Sequence, residues 1–218
     1  MIIAIDGPAG AGKSTVAKIL AKKLGFLYLD TGAMYRALTF KALENKMDIG
    51  DHAGLAALAK NTSIDLIPGK DDRLTVLLDG NDVSLAIREP RITRHVSDVA
   101  KVKEVRQVLL ELQRKLGSSR NSILDGRDIG TMVFPNAEKK FFIDAKIDER
   151  VNRRYKDLQN LNIQGVSREQ VAGDLNNRDT IDSTREFAPL KKADDAIYID
   201  TTNLSIDEVV QAMINHLQ

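Results

Sequence analysis

Gly7-Pro8-Ala9-Gly10-Ala11-Gly12-Lys13-Ser14-Thr15 is the stretch that decides the fold of this 218-residue chain. It has the pattern G-x-x-x-x-G-K-S, whose glycines let backbone N–H groups converge on phosphate oxygens. An apolar run over 1–5 precedes it, and apolar residues at helical spacing follow from Val16. A strand, a glycine loop and a helix in this order are the context that the motif requires, which disfavours a glycine-rich turn that binds nothing. The stretch therefore predicts nucleotide binding, with Lys13 reaching the β- and γ-phosphates and the Ser14 hydroxyl binding Mg²⁺.

The composition is that of a soluble globular protein, with 43% apolar and 29% charged residues. A formal net charge of +1 gives no indication of binding to nucleic acid polymers or membranes. The absence of cysteine excludes disulfides, thiolate catalysis and zinc–thiolate sites. No apolar run approaches ~18 residues, and the start of the chain has no signal-peptide pattern. We therefore expect a cytoplasmic protein.

Short apolar runs that alternate with helical patterns predict an α/β fold with a five-stranded parallel sheet covered by helices on both faces. The predicted strands lie at 1–5, 26–30, 123–125, 139–143 and 196–200. A turn at Thr31-Gly32 is expected before a helix over 33–46. The long region over 90–116 is predicted to be helical, and capping-box patterns predict further helices after Ser167 and Ser205.

A small antiparallel insert is predicted at about 62–88, inside an otherwise alternating chain. Its strands lie at 63–67 and 74–78 around a turn over 68–72, and Asp79-Gly80 is a further hairpin signal. The whole chain, 1–218, then forms one domain with this insert. A loop is expected at 162–165.

Arginines form a second set of candidate site residues. Arg127 and Asp128 follow the strand that ends at Asp125, and ligands of open α/β sheets bind outside the carboxyl ends of strands. A charged pair at the end of a buried strand is costly unless it is used. Other candidates are Arg36, Arg106 and the i, i+4, i+7 set Arg178, Asp182 and Arg185, which would share one helix face. For the latter set a surface salt-bridge ladder is an equal alternative.

Phosphoryl transfer gives these arginines a role, because it depends on positioning and on neutralising charge on the transferred oxygens. An acceptor that is itself a phosphate arrives largely ionised and needs no general base. This agrees with a sequence that has three histidines and no recognisable His–carboxylate dyad. Two roles fit Asp125: holding a Mg²⁺-bound water, or capping the turn after its strand.

The chain resembles, from end to end, the bacterial cytidylate kinases, the (d)CMP kinases of the nucleoside monophosphate kinase family. The resemblance rests on the glycine loop, the insert at 62–88 and three further stretches, which are 29–36 (LDTGAMYR), 125–131 (DGRDIGT) and 178–190. It implies a P-loop kinase with a mobile monophosphate-binding region that includes the insert, and a short lid at about 150–168. It also implies ATP and CMP or dCMP as substrates, Mg²⁺ as cofactor, and a protein that we expect to be a monomer.

The resemblance assigns roles residue by residue. Lys13, Arg127 and Arg178 correspond to catalytic residues. The loop over 7–15, together with Arg153 and Arg154 of a basic helix that also carries Arg150, corresponds to the ATP site. The acceptor residues are Arg36, Arg127 and Arg178 for the phosphate, Ser97, Arg106 and Asp128 for cytosine, and Asp182 and Arg185 for the pentose, with Thr31 beside them.

Cytosine offers an N4 amine that Asp128 can accept from, and its N3 and O2 acceptors suit Arg106. Uracil reverses the polarity at positions 3 and 4, so its binding would leave buried polar groups mismatched. Two positions depart from the family pattern. Thr31 stands where many relatives have Ser. The loop ends in Lys13-Ser14-Thr15, where adenylate kinases usually have Lys-Gly-Thr, so either Ser14 or Thr15 could bind the metal.

Two alternatives remain at this point. A P-loop kinase for UMP, AMP or a shikimate-like metabolite would turn over with a different acceptor. A nucleotide-dependent switch would hydrolyse slowly and would leave the arginine-rich second site unexplained.

Overall fold

The structure, a computed structural model, describes residues 1–69, 74–160 and 165–217. Eight strands and eight α-helices are defined within these ranges. The strands are β1 (Ile2–Asp6), β2 (Leu27–Asp30), β3 (Ile64–Pro68), β4 (Leu74–Leu78), β5 (Asn81–Asp82), β6 (Ser122–Asp125), β7 (Lys139–Asp144) and β8 (Ile197–Asp200). The helices are α1 (Lys13–Leu24), α2 (Thr31–Glu44), α3 (His52–Lys60), α4 (Pro90–Ala100), α5 (Lys103–Gly117), α6 (Ile147–Asn160), α7 (Arg168–Thr184) and α8 (Ile206–Asn215).

The main sheet has five parallel strands in the order β2-β6-β1-β7-β8, as predicted. The central strand β1 pairs with β6 on one side and with β7 on the other. From β1 the chain goes to the edge strand β2, returns to β6 beside β1, and then crosses to β7 and β8 on the other side. The strand order therefore reverses at β1. In open α/β sheets, ligands bind outside the carboxyl ends of the strands at such a point.

Apolar residues from both faces of the sheet form two main cores. One contains α2, α3 and α5 with the insert, around residues such as Met34 and Leu109. The other packs α1 and α8 against the opposite face, around Leu20 and Phe141. A third, smaller core joins Ala9 of the glycine loop to α6 and α7.

The predicted insert is a three-stranded antiparallel sheet in the order β3-β4-β5. Asp79 and Gly80 have φ values of 49° and 83°, the backbone that a two-residue hairpin loop requires. The predicted turn over 68–72 and the predicted loop over 162–165 lie largely outside the described residues.

Two local predictions were wrong. Thr31-Gly32 is not a turn but the first turn of α2, because the Asp30 side chain accepts from the Ala33 N–H at 3.0 Å and starts the helix there. The region over 90–116 is two helices, α4 and α5, separated at Lys101 and Val102. The break redirects the chain, since α4 packs against α2 whereas α5 packs against α3.

Both predicted capping boxes are present. Ser167 and Gln170 bond reciprocally at the start of α7, and Ser205 and Glu208 do so at the start of α8. Among the described residues no helix is long and apolar enough to cross a membrane.

Candidate active site

The glycine loop joins β1 to α1 in a conformation that depends on its glycines. Gly7, Gly10 and Gly12 have φ values of 144°, 78° and 93°, and Gly12 is the residue before the first turn of α1. A Cβ at Gly7 would lie 1.9 Å from the carbonyl oxygen of Ile143 in β7. The N-terminus of a helix carries about half a positive charge, so α1 and the loop together favour an anion.

Lys13 points into the loop, where its Nζ donates to the Pro8 carbonyl at 2.6 Å. Burial and, after it, the positive charge of Arg127 lower the pKa of this ammonium to about 7, although Asp125 and Asp179 act in the opposite direction. The protonated form of Lys13 is therefore less favoured than in water. A phosphate placed on the loop would restore it.

Ser14 and Asp125 meet at the carboxyl ends of β1 and β6. The Ser14 hydroxyl donates to Asp125 Oδ2 at 2.6 Å, and the Tyr28 hydroxyl donates to Oδ1 at 2.9 Å. Burial raises the pKa of this carboxyl to about 6, helped by the charge of Asp30. The Asp125 side chain thus contacts hydroxyls rather than capping a turn with backbone bonds. Thr15 is exposed, so Ser14 is the hydroxyl that faces the site.

The hydroxyl of Thr31 donates to the backbone carbonyl of Asp125 at 2.7 Å. This bond joins the start of α2 to the end of β6. Gly126 lies directly beside it, because a Cβ there would be 2.8 Å from the Thr31 Oγ1. Thr31 is therefore at the floor of the crevice between the two strand ends.

Charged residues from three elements form one continuous chain of ion pairs. In order they are Arg106–Asp128 at 2.6 Å, Asp128–Arg185 at 3.5 Å, Arg185–Asp182 at 3.4 Å and Asp182–Arg127 at 2.9 Å. Four of the five side chains are at least nine-tenths buried. A surface ladder is therefore excluded for Asp182 and Arg185, and the structure brings both residues against the predicted base-reading pair.

Arg185 is not on the helix face that the i, i+4, i+7 spacing predicted. It follows α7 in an extended conformation, with φ −60° and ψ 141°. Its Nε donates to the Ala188 carbonyl at 2.7 Å, which holds the guanidinium toward Asp182 and Asp128. The end of the helix thus turns this arginine into the crevice.

Arg36 and Arg178 supply positive charge that the ion-pair chain does not neutralise. Arg36 donates to Thr93 Oγ1 at 2.8 Å and to the Ile87 carbonyl at 3.3 Å. Burial lowers the pKa of Arg36 to about 9, and Arg178 is the next cause. Burial also lowers the pKa of Arg178 to about 10, followed by the charge of Arg127. The Nε of Arg178 is buried and has no hydrogen-bond partner within the described ranges.

Ser97 is buried on α4. A cavity of about 340 Å³ lies between α4 and the α6–α7 pair, and Arg94, Arg154 and Arg178 contribute to its lining.

The three arginines of α6 contact different parts of the molecule. Arg154 faces this cavity, whereas Arg153 donates to the Ala11 carbonyl at 3.4 Å and to Thr201, and Arg150 donates to the Ala9 carbonyl at 3.1 Å.

Sequence reasoning missed two residues that shape the site. Asp6, at the end of β1, accepts from the N–H groups of Ile129 and Gly130 at 2.8 and 2.7 Å. These bonds hold a π-helical turn over Ile129–Val133, which starts directly after Asp128. The Tyr35 ring lies 5.1 Å from the Arg106 guanidinium. Asp6 could have been noticed as the acidic residue between an apolar strand and the glycine loop.

The comparisons agree with this geometry. A family model described as cytidylate kinase matches residues 3–218. The chain is 50% identical over 217 residues to a cytidylate kinase of Clostridioides difficile (strain 630), covering 100% of this chain and 98% of that protein. It is 51% identical over 214 residues to a cytidylate kinase of Carboxydothermus hydrogenoformans, covering 98% and 96%. A shikimate kinase structure from Bacteroides thetaiotaomicron is similar at a TM-score of 0.51 and 14% identity, covering 100% and 98%, which concerns the fold alone.

The parallel sheet, the glycine loop at its reversal point and the arginine-lined second site define a P-loop kinase of the nucleoside monophosphate class. Within that class, the family model and the full-length relatives at about half identity show that the chain belongs to the cytidylate kinase family. It is an enzyme that transfers the γ-phosphoryl group of ATP to CMP or dCMP. The alternatives of a different acceptor and of a nucleotide switch are not favoured.

Proposed function

We propose that the two substrates meet between Lys13, Arg127 and Arg178, with ATP on the loop over 7–15 and the acceptor phosphate under Arg36, Arg127 and Arg178. The observation that carries this proposal is that several cationic side chains are buried together at the crevice. Burial first, and the charge of neighbouring arginines second, lower the pKa values of Lys13, Arg36 and Arg178. Such crowding is unfavourable unless anions occupy the space. Charge that spreads over the transferred oxygens would be neutralised there, which is the main catalytic contribution in phosphoryl transfer.

The acceptor base is proposed to bind between Asp128, Arg106 and Ser97. Asp128 accepts from the N4 amine of cytosine, and Arg106 donates to its N3 and O2. The ion pairs of Asp128 with Arg106 and Arg185 fix the orientation of the carboxylate in the free enzyme. Asp182 and Arg185 are placed for the pentose, and Thr31 lines the same crevice.

Mg²⁺ is the proposed cofactor, held by the Ser14 hydroxyl with Asp125 positioned to hold a metal-bound water. Both residues offer hard oxygen donors, and the 2.6 Å bond between them brings these donors together. Mg²⁺ held by these residues would supply positive charge that neutralises the phosphate oxygens of ATP. The acceptor phosphate is its own nucleophile and arrives ionised, so no side chain has to remove a proton.

The α6–α7 region at about 150–168 is proposed to act as the lid, and the insert at about 62–88 as part of the monophosphate-binding region of a single domain. Arg153 and Arg154 are both proposed to contact the ATP phosphates; Arg153 donates to the Ala11 carbonyl of the loop, and Arg154 lines the cavity beside α4. Closure would exclude water, which would otherwise accept the phosphoryl group. We further propose a monomer that works in the cytoplasm, where ATP and CMP are available.

Arg178→Met tests the acceptor-phosphate site. Its loss should lower kcat/KM for CMP at least about 100-fold, because the charge on the transferred oxygens loses a partner. The melting temperature of this variant, measured without substrates, should equal or exceed that of the wild type, because Arg178 repels Arg127 and Arg36. Steady-state kinetics and a thermal melt check both results.

The control is Lys115→Met, which removes an exposed cation in the last turn of α5. This variant should keep wild-type turnover. If Arg178→Met kept normal turnover, or if it lost activity only because it unfolded, the proposed role of Arg178 would be wrong.

A further inference from the structure

Ala9, in the middle of the glycine loop, is held by residues from both α6 and α7. Its backbone N–H donates to Asp179 Oδ1 at 3.1 Å, and its carbonyl accepts from Arg150 Nη1 at 3.1 Å. The side chain of Ala9 is buried in the third core with Val151, Val171 and others. The N–H, the C=O and the Cβ of this one residue are therefore all in contact with the α6–α7 pair.

Arg150 and Asp179 also bind each other, in an ion pair whose side chains are 10% and 20% exposed. Arg150 is anchored further by its Nε, which donates to the Ala145 carbonyl at 3.0 Å. Gly10 packs directly on the same arginine, because a Cβ there would lie 3.1 Å from the Arg150 Cβ. The pair thus joins the loop backbone to both α6 and α7.

Charge-assisted hydrogen bonds of this kind are stronger than neutral ones and fix geometry well. The Ala9–Gly10 backbone belongs to the phosphate-binding loop, whose amide groups must point at the phosphate oxygens before ATP arrives. Asp179 also directly follows Arg178 on α7, where the acceptor phosphate is proposed to bind. One helix therefore carries a contact to the donor loop and a contact to the acceptor.

We propose that Asp179 is a positioning residue for the ATP site, which acts together with Arg150 by fixing the Ala9–Gly10 backbone. The pair touches neither the transferred phosphoryl group nor the base. It sets the direction of the loop amides, so its loss weakens ATP binding and leaves CMP binding intact. This inference rests on the proposed binding of ATP phosphates to the loop over 7–15.

The experiment measures the dissociation constants of Mg-ATP and of CMP separately, by titration calorimetry, for the wild type, Asp179→Asn, Arg150→Lys and the double variant. Each single variant should weaken ATP binding at least about 5-fold and change CMP binding by less than about 2-fold. The double variant should be no worse than the more affected single variant, because the two side chains act as one unit. Asp148→Asn, an exposed carboxylate in the first turn of α6, is the control and should leave both constants unchanged.

Amide hydrogen exchange of the wild-type protein gives a second readout that needs no variant. The Ala9 amide should be protected from exchange, because a hydrogen-bonded N–H exchanges only after local opening. An unprotected Ala9 amide, unchanged ATP binding in the variants, or equal weakening of ATP and CMP would each overturn the role of Asp179. If the wild type itself failed to bind ATP, the proposed function would fail instead, and the two failures are thereby distinguishable.

Discussion

At the scale of single residues, the proposed site combines matched ion pairs with buried cations that are only partly matched. Asp128 and Asp182 are each placed between two arginines, so their negative charges are matched. Lys13 and Arg178, in contrast, have pKa values lowered by burial and by neighbouring cations. A free enzyme with excess buried positive charge gives up some stability, and its substrates supply the missing anions.

The excess of buried positive charge can be measured at Lys13, because a change in its pKa on ATP binding changes the number of bound protons. Its pKa falls from 10.5 to about 7 in the folded enzyme, so between those values the unfolded chain binds more protons and stability rises with pH. Binding of a triphosphate should raise that pKa again. At about pH 8 we therefore expect ATP binding to take up about 0.5 to 1 proton.

Calorimetry in buffers with different ionisation enthalpies measures this uptake. Lys13→Arg is the control, because a guanidinium stays protonated at this pH and should show much less uptake. Equal uptake in both proteins, or none in the wild type, would contradict the lowered pKa of Lys13.

At the scale of elements, the site is made where strands end and the next segment begins. The loop after β1, the start of α2 and the segment after β6 all lie at the carboxyl edge of the sheet. The loop can approach β7 closely only because Gly7 has no side chain. Backbone contact of this kind determines where phosphates could be held.

Gly7→Ala should therefore destabilise the fold by at least about 2 kcal/mol, since a Cβ would overlap the Ile143 carbonyl oxygen and φ is 144°. Gly173→Ala, in the interior of α7 with nothing within 4 Å of the added Cβ, should instead stabilise by about 0.5–1 kcal/mol. Chemical denaturation monitored by circular dichroism compares the two. If both substitutions changed the free energy of unfolding by similar amounts, the close approach between Gly7 and Ile143 would not contribute to stability.

Local patterns were sufficient to predict most elements. The apolar runs, the Asp79-Gly80 hairpin and the two capping boxes each depend on neighbours in sequence, and the structure confirms them. The break between α4 and α5 was not predictable in this way, because it is set by packing against two different helices. The π-helical turn after Asp128 likewise depends on Asp6, which is more than a hundred residues away.

The same limit applies to the site. Arg127 and Asp128 were predicted to lie at the crevice because they follow the carboxyl end of a buried strand. Lys13 and Ser14 were predicted there from the G-x-x-x-x-G-K-S motif. The pairing of carboxylates with arginines, and the sorting of Arg150, Arg153 and Arg154 into different positions, depend on contacts between distant elements. The spacing of Arg185 from Arg178 suggested a helix face, but the helix ends at Thr184.

At the scale of the whole molecule, α7 connects the two proposed substrate sites. β1 leads to the glycine loop, β2 and β6 end at the proposed acceptor crevice, and α7 carries Arg178, Asp179 and Asp182. The formal net charge is only +1, although the crevice is strongly cationic. Local positive charge of this kind concentrates anionic nucleotides at the site without making the whole surface basic.

The central claim is that Asp128 and its arginine partners select cytosine at the acceptor site. The most direct test measures ADP production from Mg-ATP with CMP, dCMP, UMP, AMP, GMP or shikimate, and without an acceptor, for the wild type and Asp128→Asn. Asparagine is used because removing the side chain would leave Arg106 buried without its ion-pair partner and Arg185 paired with Asp182 alone. Asp98→Asn, on the surface of α4, is the control.

For the wild type, we expect kcat/KM for CMP and dCMP to be at least about 100-fold above that for the other acceptors. In Asp128→Asn, kcat/KM for CMP should fall at least about 100-fold, and the dissociation constant of ATP should stay within about 3-fold of the wild type if Asp128 reads the base. Retention of the wild-type preference for CMP by Asp128→Asn, or an equal loss of ATP binding, would contradict that role.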